Sequence, residues 1–272
     1  MRSDSIKNAM GKKTTIGDVV AFLDERFRPE LQEEYDNAGF LVGERDAEYR
    51  GTIVALDVTR EVVEEAVETG ANLIVTHHPM IFRGMKRITD STEAGRMVMR
   101  LVREGIGVYA AHTNLDNVPW GVNGVLAEKL GLQHCRILKK MDDENGAGMV
   151  GDLKRRVKAD VFLRRVKEVT GQGLIRTSAH DGERRISRVA ICGGAGSFLI
   201  GEAMAAGADL YLTADLKYHD FERPEGGMIL ADGGHYETEQ FAKEIIYSAI
   251  SEKFSNFACR ISRRQGSLVQ YI

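Results

Sequence analysis

The stretch Leu73-Ile74-Val75-Thr76-His77-His78-Pro79-Met80-Ile81-Phe82 decides the architecture. Its β-branched apolar run reads as a buried strand. Two histidines follow without a gap, and Pro79 ends the extended pairing. Neutral imidazole is the commonest metal-binding side chain in proteins. A buried strand that releases two of them at its carboxyl end delivers them where open α/β sheets bind ligands.

Immediately upstream, residues 52–58 (TIVALDV) form another apolar strand and residues 61–69 a helix that Gly70 stops. Strand, helix and strand of these lengths make a βαβ unit with parallel strands and a right-handed crossover. Downstream, helices are expected at 92–104, closed by Gly105, and at 122–130, closed by Gly131. Between them, residues 108–111 form a strand ending in His112-Thr113-Asn114-Leu115-Asp116. Residues 137–153 are glycine-rich and charged, with one strand near Met149-Val150, before a helix at 160–169 and a strand at 174–177. Residues 228–231 give the last parallel-type strand, which passes through Asp232-Gly233-Gly234-His235 into a long helix reaching Phe254. Residues 267–272 are expected to close a sheet edge as a strand. Towards the start, Val19, Val20, Phe22, Leu23 and Phe27 recur at helical spacing before Pro29. Tyr35-Asp36-Asn37-Ala38-Gly39 then turns into a short strand, with Asp36 and Asn37 read either as Asx-turn residues or as groups supporting a site.

The opening stretch has an echo. Residues 53–82 (IVALDVTREVVEEAVETGANLIVTHHPMIF) align with residues 189–221 (VAICGGAGSFLIGEAMAAGADLYLTADLKYHDF). Gly70-Ala71-Asn72-Leu73 and Thr76 match Gly207-Ala208-Asp209-Leu210 and Thr213, which suggests two βαβ units of common design. In the second copy Ala214 and Asp215 stand where the first has His77 and His78.

Across the 272 residues, 43% are hydrophobic and 28% charged, with a net charge of −3. That balance is ordinary for a globular protein and carries no overall basic footprint for nucleic acid. No apolar run approaches the ~20 residues of a membrane span. Residues 1–13 are polar, with no signal-peptide core, and read as a loose tail in which Met10 is an alternative start. Cys135, Cys192 and Cys259 are widely spaced, which disfavours both a disulfide framework and a thiolate site, and a reducing cytoplasm is expected.

His235 and Glu239, four residues apart on a helix, project from one face. Alone they also read as a cap and a dipole partner, and Asp116 alone as a turn residue. The argument rests on convergence, because His77, His78, Asp116, His235 and Glu239 all leave the carboxyl ends of expected strands. They are too many for a closed structural zinc site and suit two divalent ions ~3.5–4 Å apart, bridged by Asp116 or Glu239. Zinc, iron, manganese and nickel all accept nitrogen and oxygen donors. A water bridging two such ions is a hydroxide nucleophile near neutrality. His112 and His219 are candidate proton donors, or ordinary half-exposed histidines. Gly193-Gly194-Ala195-Gly196-Ser197 reads either as a phosphate-binding turn or as a tight strand-to-helix connection. Lys154, Arg155, Arg156, Lys158, Arg164, Arg165 and Lys167 make a solvated face or a rim attracting an anionic substrate.

Taken together, Tyr35-Asp36-Asn37-Ala38-Gly39, residues 70–82 (GANLIVTHHPMIF), 111–116 (AHTNLD) and 232–239 (DGGHYETE) resemble the NIF-three-like family. Its bacterial members are often called GTP cyclohydrolase 1 type 2 homologs. The Gly193-Gly194-Ala195-Gly196 and Tyr218-His219 segments fit as well, and the likeness runs from about residue 15 to residue 272. The resemblance implies a dinuclear site held by His77, His78, Asp116, His235 and Glu239, two similar α/β lobes, and a toroidal homohexamer. The stretch Thr213-Ala214-Asp215 departs from relatives that carry glycine or glutamate there, and the middle of the chain is of the compact type without a large insert.

The expectation is therefore an α/β protein of two similar lobes with mostly parallel mixed sheets and a metal site in the crevice between them. Residues 14–110 with 227–272 would form the first lobe and 111–226 the second. The expected activity is metal-dependent hydrolysis of a purine nucleotide, GTP being the candidate, or of another phosphorylated small molecule. The competing class is a metal-binding or partner-docking ring without turnover, and fold-level kinship does not choose between them.

Overall fold

The structure is a computed structural model that describes residues 13–270 and 272, so all of the expected tail except Lys13 lies outside the described residues. Eleven strands are found among them. In chain order they are β1 (Gly39–Val42), β2 (Gly51–Ala55), β3 (Leu73–Thr76), β4 (Gly107–Ala110), β5 (Leu132–Lys140), β6 (Gly146–Lys158), β7 (Arg176–Thr177), β8 (Arg185–Ala195), β9 (Leu210–Ala214), β10 (Ile229–Asp232) and β11 (Ala258–Ile261). The helices are α1 (Ile16–Phe27), α2 (Arg60–Thr69), α3 (Glu93–Glu104), α4 (Thr113–Asp116), α5 (Val122–Leu130), α6 (Ala159–Thr170), α7 (Ile200–Ala205), α8 (His235–Glu239) and α9 (Ala242–Lys253).

Two mixed sheets result, one ordered β1-β4-β3-β2-β11 and the other β5-β6-β8-β9-β10-β7. In the first, β11, β2, β3 and β4 are parallel and β1 is antiparallel. In the second, β8, β9 and β10 are parallel, flanked by antiparallel partners. Both βαβ units of the repeat are present, β2-α2-β3 and β8-α7-β9.

Period-two alternation sends side chains to opposite faces of each sheet. Ile53, Ala55, Ile74 and Val108 meet Val62, Val63 and Ala66 of α2, whereas Val54, Val75 and Tyr109 meet α1 and Ile246 and Ile250 of α9. The second sheet repeats the scheme. Val189, Ile191, Leu210 and Leu212 face α5 and α6, and Ala190 and Tyr211 face α7. Each fully buried Val, Leu or Ile contributes about 1.5–3 kcal/mol, so both sheets are held from both sides. Thr59 caps α2 through its hydroxyl, and Gly70 ends it in the left-handed region at φ 73.

The sequence reading is corrected in four places. A long hairpin of β5 and β6 replaces the single short strand near Met149-Val150, because most of β5 is exposed and pairing rather than burial holds it. Residues 229–232 join the six-stranded sheet beside β9, not the first sheet. The long helix expected after His235 is broken into α8 and α9 at Gln240-Phe241. Phe241 packs in the core of the second sheet while Ala242, Ile246 and Ile250 pack in that of the first, so the break carries the chain from one core to the other. The closing strand is β11, parallel to β2; no strand forms among the described residues of 267–272, and Leu268 there is 75% exposed.

Candidate metal centre

The two sheets point the carboxyl ends of their parallel strands at one crevice. β3 and β4 are in register at Thr76 and Ala110, so His77 emerges level with Ala111, and its Nδ1 donates to the Ala111 carbonyl at 2.7 Å. β2 and β3 are in register at Ala55 and Thr76, so Asp57 and His78 emerge level too, and His78 Nδ1 donates to Asp57 Oδ1 at 2.7 Å. Across the crevice, His235 opens α8 just after β10, and its Nδ1 donates to Asp215 Oδ2, just after β9, at 2.8 Å. A carbonyl or carboxylate oxygen only accepts, so each ring carries its proton on Nδ1 and, when neutral, presents a lone pair on Nε2.

Those Nε2 atoms converge on Glu239, which is buried. Its Oε2 lies 2.9 Å from His78 Nε2 and 2.8 Å from His235 Nε2, and the two nitrogens are 3.2 Å apart. Its Oε1 faces His77 Nε2 at 3.9 Å, and His77 Nε2 is 3.6 Å from Asp116 Oδ1. Among the described residues, His77 Nε2 and Asp116 Oδ1 are buried without any hydrogen-bond partner. Two buried polar atoms left unsatisfied and turned towards each other are costly unless a cation lies between them. Three overlapping donor groups fit a metal ion: His78, His235 and Glu239; His77, Asp116 and Glu239; and His77, His78 and His112. All five expected ligands are thus brought together.

Electrostatics agrees with the geometry. Burial opposes charge on His78, but its hydrogen bonds to Asp57 and Glu239 outweigh that and take its pKa up to about 10. His235 is similarly raised to about 9, against burial, by Glu239 and then Asp215. Burial would raise Glu239, yet hydrogen bonds from the imidazoles of His235 and His78, with His77 close by, hold it well below the usual carboxylate range. Asp116 is pushed up, chiefly by burial. The centre is a concentrated negative charge that draws cations, whether protons or metal.

Room for Glu239 comes from Gly194, whose φ is 63. A Cβ there would sit 1.9 Å from Glu239 Oε1. The first two N–H groups of the same segment are already engaged, Gly193 N–H donating to Asn123 Oδ1 at 2.9 Å and Gly194 N–H to Thr238 Oγ1 at 3.0 Å. Asp36 proves to be a supporting group as well as a turn residue. Its buried carboxylate accepts from His112 Nδ1 at 2.7 Å, from Thr113 and from Asn37 N–H. Burial works against that charge, but these hydrogen bonds, His112 foremost, hold Asp36 down to about 2. His112 in turn lines a cavity of about 230 Å³ with Asp116, Asn123, Cys192 and Glu239.

His219 is not brought to the cluster. Its side chain is 83% exposed and lies 3.6 Å from Glu222. The basic run lines a separate hollow around Lys154, Arg155 and Arg165, which shares no residue with the cavities at the metal centre. Sequence reasoning missed Asp57, Asp215 and Gly194. The signal for the first two was their place at strand ends beside histidine-bearing strands, with Asp215 at the repeat position of His78.

No helix among the described residues is long and apolar enough to cross a membrane. A family model, Duf34/NIF3 (NGG1p interacting factor 3), matches residues 14–265. A Clostridium perfringens protein named GTP cyclohydrolase 1 type 2 homolog is 36% identical over 229 residues, 82% of this chain and 86% of that protein. Among solved structures, a Bacillus cereus protein related to NIF3 superposes with a TM-score of 0.91 at 22% identity, covering 96% of this chain and 100% of that one. A Staphylococcus aureus hypothetical protein superposes with a TM-score of 0.86 at 28% identity and the same coverage. The chain belongs to the DUF34/NIF3 family.

Proposed function

We propose that this chain is a dinuclear-metal-dependent hydrolase of a purine nucleotide or another phosphorylated small molecule, working in the cytoplasm as the homohexamer its family resemblance implies. One observation carries the reading: the two oxygens of Glu239 address different donor groups, His78 with His235 on one side and His77 with Asp116 on the other. Bound divalent ions would supply Lewis acidity and a lowered water pKa. His112 is oriented by Asp36 through Nδ1, has no hydrogen bond at Nε2 among the described residues and lines the adjoining cavity, so it is arranged to hand a proton to a leaving group. His219, the other candidate donor, lacks that placement within one chain.

The test is to load the protein with zinc or manganese and follow GTP for ring opening. His112→Ala is expected to lower turnover by about 10²–10⁴-fold, with metal content measured alongside because His112 also shares a donor group with His77 and His78. A second reading, a metal-binding or docking ring without turnover, is favoured by the basic hollow lying apart from the centre. It prevails if the loaded protein turns over neither GTP nor a broad panel of phosphate esters.

A further inference from the structure

The cavity beside His112 does not end at the metal centre. It shares Glu33, Tyr35, Ala147 and Phe198 with an outer hollow of about 470 Å³, which adds Lys139 and Lys140 at the end of β5. The two therefore form one cleft running from an exposed pair of lysines to Asp116 and Glu239. Its composition is selective. Tyr35 is 62% and Phe198 48% exposed, so both offer apolar ring surface to whatever enters. Among the described residues, no carboxylate lies within ion-pair distance of Lys139 or Lys140, and Lys139 Nζ stands 5.7 Å from the Phe198 ring centroid. Among the described residues, the Glu33 carboxylate accepts from Asn117 Nδ2 at 3.2 Å through Oε1, and its other oxygen has no partner.

We infer that this cleft is a binding site for a guanine nucleotide, with the base against Tyr35 and Phe198, its N1–H and exocyclic amino donors on Glu33, and the phosphates on Lys139 and Lys140. Aromatic faces hold a base by stacking. A carboxylate matches the adjacent N–H donors of guanine and meets an acceptor nitrogen in adenine, so Glu33 supplies preference between them. Ammonium groups without carboxylate partners suit phosphate oxygens. The inference deepens the hydrolase reading by assigning substrate contacts, and it places the phosphates on β5, not on the basic run of β6 and α6.

The experiment measures binding of GTP, ATP and guanosine to metal-free protein, where turnover does not intervene. Lys139→Ala with Lys140→Ala is expected to weaken GTP by about tenfold or more and guanosine little. Phe198→Ala should weaken both by about tenfold, and Glu33→Ala should erase the preference for GTP over ATP. Lys154→Ala with Arg155→Ala, on the separate hollow, should change nothing. The inference falls if wild-type protein binds no GTP, if the β5 double variant binds GTP as wild type does, or if the Lys154/Arg155 variant loses as much. It also falls if Phe198→Ala disperses an oligomer and leaves affinity intact, which would make this face a subunit contact. GTP binding through these residues without turnover of the loaded protein would sink the hydrolase reading and leave the cleft standing. Turnover that the β5 variant does not alter would do the reverse.

Discussion

In the first βαβ unit, β2 runs out into Asp57 and β3 into His77-His78; in the second, β8 carries Gly193-Gly194 near its end and β9 runs out into Ala214-Asp215. The backbones correspond, with parallel pairing of Thr52 to Leu73 in one and Val189 to Leu210 in the other. The side chains do opposite things. The first unit presents two imidazoles and fixes one of them with Asp57. The second presents no imidazole at these positions, clears space for Glu239 at Gly194 and steadies His235 with Asp215. A repeated scaffold thus becomes an asymmetric site: one copy supplies candidate ligands, and the other shapes the room for the candidate ligands that arrive on α8.

That contrast is open to attack at several points. The largest effect is expected at Glu239, where both donor groups meet. Glu239→Gln keeps the shape and removes the charge, and should weaken metal binding beyond the hundredfold upper end typical of supporting residues, read by calorimetric titration. Gly194→Ala comes next, because the added methyl collides with Glu239 Oε1 and the backbone is left-handed there. Metal affinity should fall at least about tenfold, with about 1–3 kcal/mol lost in denaturant unfolding. Normal metal binding in Gly194→Ala would show that the second unit's glycines are only a turn. The smallest effects belong to the supports. Asp57→Asn should weaken metal binding about 10–100-fold. Asp215→Asn should cost less, since Asp215 is 55% exposed where Asp57 is 24% exposed. Equal losses for the two would erase the distinction drawn between donor and support units.

Much of this was legible in the residues. Apolar runs stopped by glycine placed the βαβ units, since Gly70 and Gly105 end helices in the left-handed conformation, which glycine adopts freely and other residues disfavour. The cluster of candidate ligands was legible because an imidazole or carboxylate at a strand's carboxyl end is uncommon and chemically specific. What stayed hidden depended on pairing. β5 is mostly exposed, so its pattern carries no burial signal. Gln240-Phe241 breaks a helix only because Phe241 and Ala242 belong to different cores. Asp57 looks like any strand-end acid until register sets it level with His78. His219 is the converse case: it follows β9 closely in sequence, yet within one chain it is turned to solvent beside Glu222.

Metal content per chain, measured by elemental analysis of protein purified without chelator, tests the central claim most directly. Two equivalents of divalent metal in the wild type, falling to nearly none in Glu239→Gln, is the outcome expected of a carboxylate that joins two donor groups. A wild type with one equivalent or less, or a Glu239→Gln protein that loads as the wild type does, would contradict it.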